Sequence, residues 1–328
     1  MSDQLKIKLK ELTAKEIGRV VFDEPLSRHN SWKIGGPADL FIEPDNSSQI
    51  AEVVCFSQAN KIPLVVIGQG TNLLFDDAGV RGIVLKVGER LADIQIAGNM
   101  IVAGGGAWVP QLARQSMRAG LTGLEHCIGI PGTLGGLVMM NGGSQRKGIG
   151  ENVVKVTVVD KTGTIKQVLQ SECDFSYRHS ALQGTGCVVT CVELKCPNGD
   201  VKKIRQEMLA DLRNRRQKFP RKQPNCGSVF LSTTEMHATV GPPGKVIENA
   251  GLKGLRVGNA EISRQHANFI VNLGGASSRD VLSLIARIRQ TINNKIDFDL
   301  CCEVRYVSPQ GKIIPAHIKA DAYHVSGK

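Results

Sequence analysis

From Gly129 to Gly136 the chain reads Gly-Ile-Pro-Gly-Thr-Leu-Gly-Gly, four glycines and a proline within eight residues. Glycine lets backbone come into contact with other groups and proline fixes φ, so this segment is spelled for close approach. Either a ligand or another stretch of the protein could be what approaches. A second glycine cluster, Gly68-Gln69-Gly70-Thr71-Asn72, follows the apolar run Leu64-Val65-Val66-Ile67, a strand candidate opened by Pro63. Successive N–H groups in such a turn make a nest suited to a diphosphate, although a plain structural turn has the same spelling. No Lys-Ser or Lys-Thr follows, which excludes the phosphate-binding lysine loop. Leu73 stands where the dinucleotide fingerprint has its third glycine.

Around these clusters the pattern alternates. Helical spacing of Ile50, Val53 and Val54 predicts a helix over 47–60 with Ser47 or Ser48 as its cap. Strands are expected over 82–87 and 100–103, a helix over 109–119, and a hairpin from 153–159 and 164–168 turning at Asp160-Lys-Thr-Gly163. A further strand over 187–194 leads to the turn Pro197-Asn198-Gly199-Asp200. Beyond it come a helix over 201–218 with Ile204, Met208 and Leu212 at four-residue intervals, a helix starting at 246–249, a strand over 268–272 and an amphipathic helix over 277–294 capped by Ser277 or Ser278.

With 328 residues the chain exceeds what one core usually fills, so two or three domains are expected. The hydrophobic share of 41% is enough to bury a large core. The formal charge is +11, and the stretch 201–223, with nine basic and two acidic residues, holds seven of those excess charges. Such a stripe meets an anion or is simply solvated. Only 14 residues are aromatic (9 Phe, 3 Tyr, 2 Trp), which argues against a stacking platform for nucleic acid. The first nineteen residues alternate Lys and Glu with single apolar residues and are not spelled as a signal peptide. No run reaches the roughly 18 apolar residues of a membrane span. Nine cysteines without a C-x-x-C pair suit reduced thiols in a cytoplasm, and Cys187, Cys191 and Cys196 lack a suitably spaced histidine, so no metal is expected.

Three spots could carry chemistry. Arg178 beside Tyr177 could hold a substrate carboxylate, or be a surface residue. In Gly227-Ser228 the glycine would present the hydroxyl, or the pair simply turns the chain. Glu303, within the apolar stretch 300–307, would be desolvated in a buried strand unless a partner such as Arg305 compensates it.

The order of the motifs adds to this. Asn30-Ser-Trp-Lys-Ile-Gly-Gly-Pro-Ala-Asp39, Gly68–Asn72, Gly129–Gly136, Tyr177-Arg178, Gly227-Ser-Val-Phe230, Ala250-Gly-Leu-Lys-Gly254 and Glu303-Val304 closely resemble the UDP-N-acetylenolpyruvoylglucosamine reductase family, over about residues 25–307. The shorter form, lacking an extra tyrosine-bearing loop, is the better match. That resemblance implies an α+β fold: a two-part FAD-binding unit of the vanillyl-alcohol-oxidase (PCMH) type, 1–89 and 90–200, with a C-terminal α+β substrate-binding domain over 201–300. The tail 301–328 would pack back on the first part.

The resemblance also implies a cytoplasmic flavoenzyme of peptidoglycan precursor synthesis, with NADPH and a UDP-sugar nucleotide as its partners and neither nucleic acid nor membrane insertion. NADPH would reduce a non-covalent FAD, and hydride would then pass to the β-carbon of the enolpyruvyl ether. Arg178 and Glu303 would stabilise the enolate, and Ser228 would protonate the α-carbon. FAD would lie on Gly68, Gln69, Gly70, Thr71, Asn72, Leu73, Gly129, Ile130, Pro131, Gly132, Thr133 and Gly136, and substrate on Tyr177 and Lys218. Lys218 reads equally well as a solvated helix end. Met139 stands where the family commonly has Tyr, Ser232 where it has Asn, and His126-Cys127 raises a flavin tether, which is not expected. Two rivals are an FAD-linked oxidase of the same fold and a nucleic-acid binder using the basic stripe.

Overall fold

The computed structural model describes residues 3–325. They fall into two compact units, each assembled from separate pieces of chain. The first takes the residues up to Phe22, then Asp39–Gln69 and Gly82–Arg215; the second takes Asp23–Ala38, Gly70–Arg81 and the residues from Arg216 onward. These divisions do not follow the boundaries expected at 89, 200 and 300.

The first unit has two cores. One lies on a four-stranded sheet in the order Arg19–Pro25, Pro37–Glu43, Val80–Lys86, Leu64–Ile67, the last pair parallel. Helix Ser47–Asn60 buries Ile50, Val53 and Val54 among Leu40, Ile42, Ile83 and Leu85. Its cap is Asn46 rather than either serine: Asn46 is extended, and its side-chain oxygen accepts from Gln49 N–H at 3.0 Å. Helix Asp3–Thr13 adds Leu9 and Leu12 to the same core. Their three-residue spacing, four beyond Leu5, makes an apolar stripe among the surrounding lysines and glutamates.

The second core lies on an antiparallel sheet in the order Ile94–Ala97, Met100–Gly104, Val188–Lys195, Val153–Val159, Ile165–Leu169. The expected hairpin is present. Its turn is fixed by Asp160, whose Oδ1 accepts from Thr162 N–H (2.8 Å), Thr162 Oγ1 (2.6 Å) and Thr164 N–H (3.1 Å). Helix Val201–Lys218 also belongs here: Ile204 and Met208 are buried in this core and Leu212 packs against it. The basic helix therefore joins the first unit as far as Arg215 instead of opening the substrate domain.

The second unit surrounds Trp32, Leu74, Phe230, Ile247, Ile285, Ile288 and Tyr306. A parallel pairing of Leu73–Phe75 with Arg305–Val307, extended by Ile313–Pro315, ties its early and late pieces together. A small antiparallel sheet runs Arg256–Val257, Ala260–Ile262, Ile270–Asn272. The Trp32 indole N–H donates to Ile270 C=O, and Asn272 Nδ2 donates to Trp32 C=O, both at 2.8 Å. Helix Ser278–Ile296 starts from Ser277, in a capping box with Asp280. Asp77 accepts from Ser278 N–H (2.9 Å) and Ser278 Oγ (2.8 Å) at that same positive end. Within the apolar stretch 300–307 only Arg305–Val307 is strand. The helix expected to start at Val246 is instead Pro243–Asn249 and ends there.

Candidate active site

Within the first unit the two glycine clusters meet. A Cβ on Gly68 would stand 2.2 Å from Thr133 Oγ1, so Gly68 is the residue that admits the second loop. Thr133 caps the short helix Leu134–Met139, its Oγ1 accepting from Gly136 N–H at 3.4 Å. The rest of the loop is held by its own bonds: the N–H groups of Ile130, Gly132, Leu134 and Gly135 donate to the carbonyls of Cys127, Ile130, Ala107 and Gly105 at 2.7–3.0 Å. Those amides shape the loop and are already occupied. Pro131 and Gly136 face outward. A Cβ on Gly129 would lie 2.3 Å from Arg215 Cδ, so that glycine makes room for a cation. A flavin dinucleotide needs closely approachable backbone and a positive charge near its phosphates or ring, and outward-facing Gly136 together with Arg215 fits that need.

Arg215 was not singled out in the sequence beyond its place in the basic stripe. Burial pushes its pKa down, Asp211 counters, and the neighbouring Arg178 charge pushes it further down. Burial raises the pKa of Asp211, against the pull of Gln145, Arg215 and Lys147.

Arg178 occupies a strained corner. Ser176 and His179 pair through Ser176 N–H to His179 C=O (3.2 Å) and His179 N–H to Ser176 C=O (3.1 Å), leaving Tyr177 and Arg178 as the tip. Arg178 has φ +55°, a conformation that costs a non-glycine residue about 1–2 kcal/mol. The turn is fixed by Gln183 Nε2 to Arg178 C=O at 3.0 Å, and the guanidinium by Nη1 to Gly143 C=O at 3.3 Å and by the Tyr177 ring at 5.4 Å.

His126 and Cys127 are both buried, with Cys127 Sγ 3.3 Å from His126 Nε2. Burial pushes the Cys127 thiol far up, which disfavours the thiolate that a flavin tether through sulfur requires.

In the second unit, Gly70 has φ +60°, and a Cβ there would meet His29 C=O at 2.2 Å. Thr71 sits in the turn that follows, Leu73 opens the strand Leu73–Phe75, and Asn72 reaches Glu303: its Nδ2 donates to Glu303 C=O at 3.1 Å, and its own C=O accepts from Arg305 N–H at 3.0 Å. The anion-nest reading of Gly68–Asn72 therefore divides, with Gly68 and Gln69 in one unit and Gly70 to Leu73 in the other.

Ser228 and Glu303 share one hydrogen-bonded frame. Val229 N–H donates to Asn268 C=O (2.9 Å), Glu303 N–H donates to Val229 C=O (2.8 Å), and Leu231 N–H donates to Cys301 C=O (2.9 Å). Phe230 and Cys302 form the central antiparallel bridge. Asn268, buried, closes the other side: its Oδ1 accepts from Phe230 N–H and its Nδ2 donates to Phe230 C=O, both at 3.0 Å. Asn268 escaped the sequence reading, where it merely opened the strand expected over 268–272; a carboxamide inside Ala267-Asn-Phe-Ile270 was the available signal. Gly227, at φ +78°, precedes the half-buried Ser228. Glu303 is half-buried outside any strand, and its charge raises the pKa of Arg305 against the downward push of burial. Ser232 Oγ lies 2.8 Å from His237 Nε2. Lys218 is exposed at its helix end; burial, Lys253 and Lys218 together lower the pKa of His266, which packs on Phe219 at 5.4 Å.

No group of three His, Cys, Asp or Glu side chains among the described residues could hold a metal, and no helix among them is long and apolar enough to cross a membrane. Residues 38–169 match the FAD binding domain family, and residues 219–307 match the C-terminal domain of UDP-N-acetylenolpyruvoylglucosamine reductase. A glycine-lined flavin domain joined to that C-terminal domain defines a flavin-dependent oxidoreductase. The chain is 47% identical over 303 residues to UDP-N-acetylenolpyruvoylglucosamine reductase 1 of Corynebacterium glutamicum, covering 92% of this chain and 90% of that protein. It is 38% identical over 301 residues to the reductase of Bacillus subtilis, covering 91% and 97%. The crystal structure of UDP-N-acetylenolpyruvylglucosamine reductase from Thermus caldophilus matches with a TM-score of 0.74 at 31% identity, covering 88% of this chain and 98% of that one. The chain belongs to the UDP-N-acetylenolpyruvoylglucosamine reductase family.

Proposed function

We propose that the protein reduces the enolpyruvyl ether of UDP-N-acetylglucosamine to the D-lactyl ether, UDP-N-acetylmuramate, with NADPH as electron donor, in the cytoplasmic supply of peptidoglycan precursors. The residues of the two glycine loops would hold FAD non-covalently, and the flavin would supply the hydride-transfer chemistry between NADPH and the β-carbon of the enol ether. The chain's own residues do the rest. Arg178 neutralises the negative charge that builds beside the substrate carboxylate as hydride arrives, a role suited to a cation fixed in place beforehand. Glu303 acts on the same enolate, and Ser228 gives its proton to the α-carbon. A serine hydroxyl is a weak acid, so this step requires a strongly basic enolate and a water that returns the proton. Lys218 holds the substrate diphosphate and Tyr177 lines the substrate pocket.

The observation that carries this reading is the shared frame of Ser228 and Glu303, in which Glu303 N–H bonds to the carbonyl of the residue after Ser228 at 2.8 Å. Stopped-flow reduction of the FAD-loaded protein tests it. NADPH bleaches the flavin absorbance, and the enolpyruvyl nucleotide restores it without oxygen. A flavin that ignores NADPH and is reduced by an alcohol substrate would make the protein an oxidase of the same fold.

A further inference from the structure

The peptide groups around Glu303 are held from three directions. Val229 C=O takes the Glu303 N–H, and Asn72 takes the Glu303 C=O and the Arg305 N–H. The third set of partners comes from the end of the chain. His317 Nδ1 accepts from Cys302 N–H at 3.0 Å, and Ala316 N–H donates to Val304 C=O at 3.0 Å. Both lie beyond Val307, where the match to the reductase C-terminal domain stops.

That end segment is anchored independently of Glu303. Ile313–Pro315 pairs antiparallel with Arg305–Val307, and Ala316 and Ala320 are fully buried in the core. Arg289, from helix Ser278–Ile296, bonds Asp321 through Nε and Nη2 at 3.1 Å each and also donates to Leu300 C=O. His317 is therefore delivered to Cys302 by a braced helix start rather than by a free tail.

The donor in this contact is a backbone N–H, so Nδ1 must carry the lone pair and the ring must be neutral, with its proton on Nε2. The surroundings favour that state. Burial lowers the ring's pKa, as do Arg289 from helix Ser278–Ile296 and Arg305 from its strand, while Asp321 on its own helix and Asp299 from the preceding loop pull the other way; the net direction is down. Cys302 is itself buried, with its thiol pushed far up, so no ionised sulfur competes for the ring.

We infer that His317 is a positioning residue for Glu303: by holding the Cys302 peptide it fixes the direction from which the Glu303 side chain leaves the backbone, and only the neutral ring can do so. This rests on Glu303 acting in the reaction, as proposed above. Acid reverses the contact, because an imidazolium has two donors and no acceptor, which leaves the buried Cys302 N–H facing another N–H.

The test uses the full-length, FAD-loaded protein and follows the two half-reactions separately for wild type, H317A, H317N and E303Q. H317A is expected to slow flavin reoxidation by the enolpyruvyl nucleotide by roughly 10- to 10²-fold, the cost of misplacing a reacting group, with reduction by NADPH unchanged. H317N restores most of the rate, since Asn Oδ1 can accept the same bond, and flattens the acid limb of the reoxidation rate below pH 6.5, since Asn does not titrate. Wild-type reoxidation in H317A with a slow E303Q overturns the role of His317 and leaves that of Glu303 standing. Wild-type reoxidation in E303Q overturns the reading of Glu303 itself. Should H317A fail to fold, an H317N acid limb identical to wild type still refutes the assignment.

Discussion

Gly68 and Thr133 touch: the hydrogen that stands in place of a side chain on Gly68 points at the Thr133 hydroxyl, and a methyl group there would lie 2.2 Å from the oxygen. The Thr133 hydroxyl also caps the helix Leu134–Met139, so displacing it disturbs both glycine loops at once. Gly68→Ala should lower FAD affinity by tenfold or more and cost about 1–3 kcal/mol of stability from overpacking. Flavin retention after gel filtration and a thermal melt check this; a yellow protein with unchanged Tm would refute it.

Ser228→Ala should leave flavin reduction by NADPH intact and slow reoxidation by the enolpyruvyl nucleotide by roughly 10²-fold, the usual size of a general-acid contribution. Arg178→Lys should have the same selectivity, because a point charge cannot reproduce the guanidinium fork. Equal losses in both half-reactions, for either variant, would remove the assigned role.

Asn268 is the strongest stability prediction. Its carboxamide satisfies both polar groups of Phe230 in a buried setting, at 3.0 Å each. Asn268→Ala leaves a donor and an acceptor unpaired and should cost about 2–4 kcal/mol. A melting curve that overlays on wild type would show that the frame around Ser228 is held by its backbone bonds alone.

Asp160 makes stability depend on acid. The Thr162 hydroxyl, its N–H and the Thr164 N–H push its pKa down to about 2, from 3.8 when unfolded. The folded value lies below the unfolded one, so the turn's contribution is fully present above pH 4 and is lost as pH falls through about 2. Asp160→Ala should be less stable than wild type at pH 6, and the gap in denaturant midpoint should shrink as pH drops from 4 to 2. A gap that stays constant with pH would refute the linkage.

The sequence reveals the local elements best where one periodicity dominates. The hairpin at Asp160, helix Val201–Lys218 and the Ser277 cap were each readable from spacing and turn chemistry. Long-range partners were not. Nothing in the spelling of Ile204, Met208 and Leu212 says which core they enter, and the stripe proves to serve the flavin-side unit. Asn72 looks like a nest residue by its glycine neighbours, yet its carboxamide is directed at a carbonyl 231 residues away. Arg178 draws notice in the sequence through its neighbour Tyr177 and the family resemblance, while its left-handed backbone is invisible there.

The way the second unit is pieced together bears on how the protein is made. Trp32 finds its indole acceptor on Ile270, 238 residues later. As the chain leaves the ribosome, Trp32, Ile34 and Leu74 emerge long before the residues that enclose them, and at ordinary synthesis speeds of about 5–20 residues per second they stay uncovered for roughly 10–50 seconds. The first unit can complete itself once Arg215 has emerged, whereas the second must wait for its last helix. Nascent chains of this protein should therefore carry a folded flavin-side unit with apolar segments left exposed, a form that invites chaperone capture and that no cut at a single point in the gene could separate into two independent folding pieces.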